Sequence, residues 1–299
     1  MVSLLREKQF SRIPKMTNIY SENWRYMTKV SGYSLLLGIS WVGITNLDAI
    51  MIEKMLGLKD AGIYGRNMFF GALVAIPYRA IHKIASGVIS NSFKENNIEN
   101  IKAVYYKSSL NQMVLACFIF AGIWLNIGNV YHVIPTSYEA GKYVILFIGL
   151  GNFFTMIGGV NTAVISFSPY YRWNTIFVAI LLILVVVTNL IFIPIYNITG
   201  AALATAISLF LYNLMMYILL FKKYKFQPIQ YRHIWILISA GCSYLVANYI
   251  PTIQTSFIVD ILVRSTAFSI LFGAIVLGGK LSPDINGMAM GLIRKVIRK

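Results

Sequence analysis

Residues 174–195 read NTIFVAILLILVVVTNLIFIPI, an unbroken run without a single charge. A helix needs about 20 apolar residues to cross a hydrocarbon core ~30 Å thick, so this stretch alone is long enough to span a bilayer. Comparable runs lie on either side of it, at 32–53, 62–83, 109–130, 142–166, 199–221, 233–250 and 257–279. Of 299 residues, 58% are hydrophobic and only 12% are charged, and the mean hydropathy is +0.68. A soluble domain of that balance would lack the polar residues to cover its surface. The expected fold is an all-α integral membrane protein of about eight transmembrane helices, in which little chain is left for an extramembrane domain.

The formal net charge of +16 raises the question of a nucleic-acid partner. The placement of the charges excludes that class. Arg6, Lys8, Arg12, Lys15, Arg25 and Lys29 precede the first run, and Lys94, Lys102 and Lys107 follow the second. Arg172 follows the fourth, and Lys222, Lys223, Lys225 and Arg232 follow the sixth. Lys280, Arg294, Lys295, Arg298 and Lys299 follow the last. The intervening loops hold Lys54, Lys59 and Lys142, offset by Glu53, Asp60 and Glu139. This alternation is the positive-inside pattern, and it predicts an even number of spans with both termini cytoplasmic.

Four regions follow: a basic cytoplasmic segment at 1–30, a bundle at 31–221, two further spans within 222–279, and a basic tail at 280–299. Met1 to Lys29 contains no apolar core long enough for a cleaved signal peptide. The longest connection is expected from Asn91 to Ser108. Cys117 and Cys242 both fall inside runs and read as packing residues rather than a disulfide. In the tail, Ala289, Leu292, Ile293, Val296 and Ile297 share one helical face, with Arg294, Lys295, Arg298 and Lys299 opposite. Such a helix suits the surface of an anionic leaflet, or serves as an ordinary basic anchor.

Two local patterns stand apart from generic apolar sequence. One closes the first run and opens the second: Asn46-Leu47-Asp48-Ala49-Ile50-Met51-Ile52, then Leu56-Gly57, then Ala61-Gly62-Ile63-Tyr64. The other is Ile193-Pro194-Ile195-Tyr196-Asn197-Ile198-Thr199-Gly200-Ala201-Ala202-Leu203-Ala204-Thr205. In order, spacing and setting they resemble the second half of a polysaccharide flippase. These are the O-antigen and capsule lipid-linked oligosaccharide exporters of the superfamily that also holds the multidrug-and-toxin extruders. The resemblance runs from about Ser31 to Phe221. It implies one six-helix lobe plus the two extra helices of the longer members, in a bacterial cytoplasmic membrane. Such exporters carry two lobes, so it also implies a missing N-terminal lobe on another chain, a homodimer, or a truncated gene product. The substrate implied is a polyprenyl-diphosphate-linked oligosaccharide, with H+ or Na+ as coupling ion and no other cofactor.

Ionisable groups inside a bilayer are costly, and each is a candidate for function. Asp48 and Arg66 lie at similar depth on consecutive helices and are expected to pair, either as a structural bridge or as the ion-coupling group. Arg79, His82, Lys83 and Ser86 share a face at i, i+3, i+4 and i+7, after Pro77, which is expected to kink the helix. Two cations and an imidazole suit a diphosphate or acidic sugars, Arg as a bidentate fork and Lys as a point charge. The alternative is snorkelling to nearby headgroups. Asn161 can bond a sugar hydroxyl, and the adjacent Gly158 and Gly159 act as a hinge or a close-packing point. Asp260 and Arg264 form an i,i+4 pair read as structural, while Asn189 and Asn213 bond between helices. Trp41, Tyr64, Tyr105, Tyr131, Trp173, Tyr196 and Trp235 read as interfacial aromatics. His82, His132 and His233 are scattered without metal-ligand spacing, and nothing resembles an enzyme's active site. Two rival functions are a cation extruder of the same fold, disfavoured by the basic interior, and a non-transporting scaffold in a polysaccharide assembly complex.

Overall fold

The structure, a computed structural model, describes residues 19–252 and 256–297. Among these residues there are helices and short turns and no strand. Among the described residues, five helical segments are long and apolar enough to cross a membrane: Leu58–Lys94, Ile98–Leu125, Thr136–Ile157, Tyr171–Tyr224 and Phe257–Gly278.

The first helix of the described residues is α1 (Ile19–Leu56), which starts well before residue 32 because no proline interrupts the polar residues that precede the apolar run. Residues 1–18 of the basic N-terminal segment lie outside the described residues. After a turn at Gly57 come α2 (Leu58–Ala72), a 3-10 turn (Leu73–Ala75) and α3 (Ile76–Lys94). Pro77 explains that interruption. It offers no backbone N–H, and its ring crowds the carbonyl four residues back, at Leu73, where the helix tightens.

A turn at residues 95–97 leads into α4 (Ile98–Leu125), whose first turn is capped by the Asn97 side chain accepting from the Asn100 N–H at 3.0 Å. The long connection expected between Asn91 and Ser108 is therefore almost entirely helical. Apolar length marks where a helix can meet hydrocarbon, and the cap decides where it begins. A short α5 (Ile127–Val133) and a 3-10 stretch (Thr136–Gly141) lead into α6 (Lys142–Ile157), and α7 (Asn161–Phe167) follows a break. At that break Gly159 has φ 61°, and a side chain there would press on the Ser109 backbone of α4. The close approach of helices expected at the glycine pair is thus seen at Gly159, where the helix also breaks.

Next, α8 (Tyr171–Tyr224) is two antiparallel arms, 171–196 and 198–224, folded at Asn197 (φ 52°, ψ −136°). The fold-back is visible in Thr188 Oγ1 lying 3.2 Å from Ser208 Oγ. Gly200 is obligatory there, because a Cβ would collide with the Phe192 carbonyl oxygen across the turn. Ala201, Ala202 and Ala204 are fully buried, so the arms and their neighbours pack backbone to backbone. Last come α9 (Tyr231–Asn248), α10 (Phe257–Gly278) and α11 (Pro283–Ile297).

Among the described residues, the three largest apolar clusters hold the bundle together. One joins α1, α3, α4, α7 and both arms of α8 through Ile89, Ile101, Val164, Leu181 and Met216. A second surrounds the Asn197 turn with Ile52, Ile63, Ile148, Ile193 and Ala202. The third docks α9 and α10 on α4 through Met113, Ile236, Phe268 and Phe272. Cys117 lies in this third core, whereas Cys242 is exposed on α9, which corrects the expectation that both thiols are packed inside. The start of α11 is tied to α4: Ser282 donates to Asn111 at 2.6 Å, Asn111 donates to Asp284 at 3.0 Å, and Lys107 lies 3.8 Å from Asp284. Side chains beyond Gly291, and with them the basic face of the tail, lie outside the described residues.

Candidate functional site

Asp48, on α1, is a buried carboxylate, 3% exposed. Three side chains from three different helical arms donate to it. Tyr64 Oη on α2 reaches Oδ2 at 2.6 Å, and Thr205 Oγ1 on the second arm of α8 reaches the same oxygen at 2.6 Å. Asn189 Nδ2 on the first arm reaches Oδ1 at 2.7 Å. The fold dictates this meeting: the Gly57 turn lays α2 along α1, and the Asn197 turn brings Asn189 and Thr205 to one depth. Asn189 Oδ1 is buried without a hydrogen-bond partner. The carboxylate is thus fully hydrogen-bonded by side chains of its neighbouring helices, and a proton taken up there would displace one of these donors.

The expected Asp48–Arg66 pair does not form. Successive residues turn about 100° around an α-helix, so Arg66, two positions after Tyr64, points away from Asp48 when Tyr64 points toward it. Arg66 is exposed, its Cζ 5.6 Å from the centre of the Tyr138 ring. Tyr64 is correspondingly no interfacial aromatic, being fully buried, and Tyr105 and Tyr131 are buried as well. Trp173, Tyr196 and Trp235 are exposed, and the Trp41 side chain lies outside the described ones.

Arg79 and Lys83 stand exposed on α3, one turn apart. Lys83 is followed by eleven more helical residues, ~16 Å of helix at 1.5 Å per residue. His82, half-buried between them, lies with its ring centre 5.2 Å from that of Tyr78, and Ser86 donates to its carbonyl at 2.6 Å. Its Nε2 has no hydrogen-bond partner among the described residues. Tyr78 meets Thr162 at 2.9 Å, linking α3 to the restart of the broken helix.

Asn161 does not join the exposed cations. It is buried, its amide donates to Asn213 Oδ1 at 3.2 Å, and its own oxygen accepts from the Thr162 N–H at 2.7 Å. Because both ends of its amide are engaged within the break, neither is offered to the α3 face. Asn213 also donates to Thr155 Oγ1 at 3.2 Å, so the break is held by a small amide and hydroxyl network. Asp260 and Arg264 form a buried pair on α10, with Nε to Oδ1 at 3.2 Å. Asn129 donates to the same carboxylate at 2.6 Å, and the Arg264 guanidinium donates to the Ile250 carbonyl at 2.9 Å.

Sequence reasoning found Asp48 but missed Tyr64 and Thr205 as its partners. Both lie within the two patterns singled out above, and polarity in an apolar run was the only signal they carried. The chain matches no protein-family model, no curated protein and no solved structure.

Proposed function

We propose that this chain is one lobe of a transporter that flips a polyprenyl-diphosphate-linked oligosaccharide across a bacterial cytoplasmic membrane. In this reading eight helices cross the bilayer with both termini cytoplasmic, six forming the lobe and two following it. A partner lobe, on another chain or a second copy, completes the cavity.

The observation that carries the reading is the exposure of cations along Leu58–Lys94. Of the five apolar segments it is the least enclosed, with 17% of its most apolar stretch buried. Yet it exposes Arg66, Arg79 and Lys83. Hydrocarbon accepts such groups poorly, and they belong against protein or a water-filled cavity. Arg79 and Lys83, which share one face of α3, would attract an anionic headgroup beside a cavity while its lipid tail stays outside. Arg79 and Lys83 would meet the diphosphate, with His82 between them.

The Asp48 cage supports a coupling role. A carboxylate held jointly by α1, α2 and both arms of α8 changes its hydrogen bonding when a proton or Na+ binds. The relative position of those helices responds, which is the link that alternating access requires.

The test is reconstitution of the chain with its partner lobe in vesicles carrying a fluorescent lipid-linked oligosaccharide. Arg79→Ala and Lys83→Ala should each lower flipping severalfold at unchanged protein abundance. Equal loss of protein and activity would make them folding residues. No flipping by any combination of lobes would favour the scaffold, and transport of a lipophilic cation instead would favour the extruder.

A further inference from the structure

A second feature lies away from both the Asp48 cage and the α3 cations. Between α4, α6, the second arm of α8 and the segment before α9 there is a cleft of about 370 Å³. Its volume falls in the usual range of small-molecule sites, roughly 300–1,000 Å³. Phe210 and Leu214 on α8 and Ile229 beyond it are exposed at its mouth, so it opens sideways from the bundle.

Its walls are not uniformly apolar. Tyr105 is fully buried in the wall, and its hydroxyl has no hydrogen-bond partner among the described residues. An unpaired hydroxyl beside an open cleft asks for an acceptor that the protein does not supply. Along α8, Phe210, Leu214, Tyr217 and Phe221 fall on one lane at helical spacing, and Lys225 ends it. Tyr217 and Phe221 stack with centroids 6.0 Å apart, and Lys225 Nζ lies 5.5 Å from the Phe221 ring centre. Lys222 is exposed beside it, Lys223 lies with its Nζ 4.9 Å from the Tyr170 ring centre, and residues 222–232 contain no acidic side chain.

We propose that this cleft binds one chain of an anionic glycerophospholipid. Its phosphate sits against Lys225 and its neighbours, the chain runs down the aromatic lane, and an ester carbonyl accepts from the Tyr105 hydroxyl. The cationic end selects a net negative headgroup over a zwitterionic one. The buried donor below it selects an ester-linked lipid over an isoprenoid phosphate, which has no acceptor beneath its phosphate. The assignment rests on the chain's being a membrane protein and not on what it transports.

Native mass spectrometry of the full chain in detergent tests it, with dioleoyl phosphatidylglycerol and dioleoyl phosphatidylcholine as probes. The chain should retain the anionic phosphatidylglycerol about tenfold more strongly. Replacing Lys222, Lys223 and Lys225 together by Gln should erase that preference, and these exposed positions leave the core untouched. Leu214→Trp, which fills the cleft, should abolish retention of both lipids. Should that variant misfold, Ile229→Trp fills the same space from outside the helix. Tyr105→Phe should weaken both lipids about fivefold. Equal retention of the two lipids by the unaltered chain would overturn the proposal, as would lysine and filling variants that behave like it. Preferential retention of undecaprenyl phosphate would overturn it too, and would assign the cleft to an isoprenoid chain. Because the readout is lipid retention, failure here and failure to flip an oligosaccharide are told apart.

Discussion

Tyr64→Phe removes one oxygen atom from the fully buried end of a side chain whose ring stays where it was. The lost hydroxyl donates to Asp48 Oδ2 at 2.6 Å, and that oxygen keeps Thr205 as its other donor. In soluble proteins a hydrogen bond to a charged group contributes about 1.5–3 kcal/mol. Between membrane helices the measured mean is about 0.6 and the largest value about 1.7 kcal/mol. The short distance and complete burial put this bond near the top of the membrane range, so a loss of about 1–1.7 kcal/mol is expected. Reversible unfolding of the purified chain in mixed micelles with rising SDS measures it. A double-mutant cycle with Asp48→Asn should give a coupling of at least ~0.6 kcal/mol. The parallel cycle of Arg66→Ala with Asp48→Asn should be additive within ~0.5 kcal/mol, as for side chains that do not touch. A coupling of Asp48 to Arg66 that exceeds its coupling to Tyr64 would refute the geometry of the cage.

Further outcomes follow from other positions. Gly200→Ala should destabilise the α8 hairpin by about 1–3 kcal/mol in the same unfolding assay, because the added methyl meets the Phe192 carbonyl. Arg264→Met alone should cost about 3–5 kcal/mol by stranding the buried Asp260 carboxylate, and adding Asp260→Leu should recover most of it. In detergent, an apolar maleimide should modify the chain at Cys242 and spare Cys117, so Cys242→Ser should remove the label. Ser282→Ala should increase proteolysis at α11 by removing the 2.6 Å bond to Asn111, with the bundle core unaffected.

The fold was legible where hydrophobic length and backbone punctuation agree. Pro77, the Gly158–Gly159 pair and the stretch around Asn197 are all places where the amino acids forbid a straight helix, and the structure bends or breaks at each. Helix ends were less legible. Apolar length reports the slab a helix crosses, while Asn97 and the uninterrupted residues after Ile19 decide how far the helix continues into water. The candidate site was legible one residue at a time. A carboxylate in an apolar run announces itself, as Asp48 did. Its partners did not, since Asn189 and Thr205 are 141 and 157 residues away and become neighbours only through the α8 turn. Choosing Arg66 on depth alone neglected the direction in which a helical residue points, and complementary charge proved a weaker guide than that direction.

Leu58–Lys94 comprises 37 residues, ~55 Å of helix at 1.5 Å each. Hiding all of it in a core ~30 Å thick would take a tilt near 57°, beyond the 0–40° found for membrane helices. Even at 40° the core accommodates only ~39 Å of it, so about eleven residues must stand clear. Those residues lie at the Gly57 turn, at the turn of residues 95–97 that joins α3 to α4, or are divided between the two. A short epitope placed at Asn96 would be read by antibody from one side of the membrane only. That side fixes which way every other helix of the bundle runs.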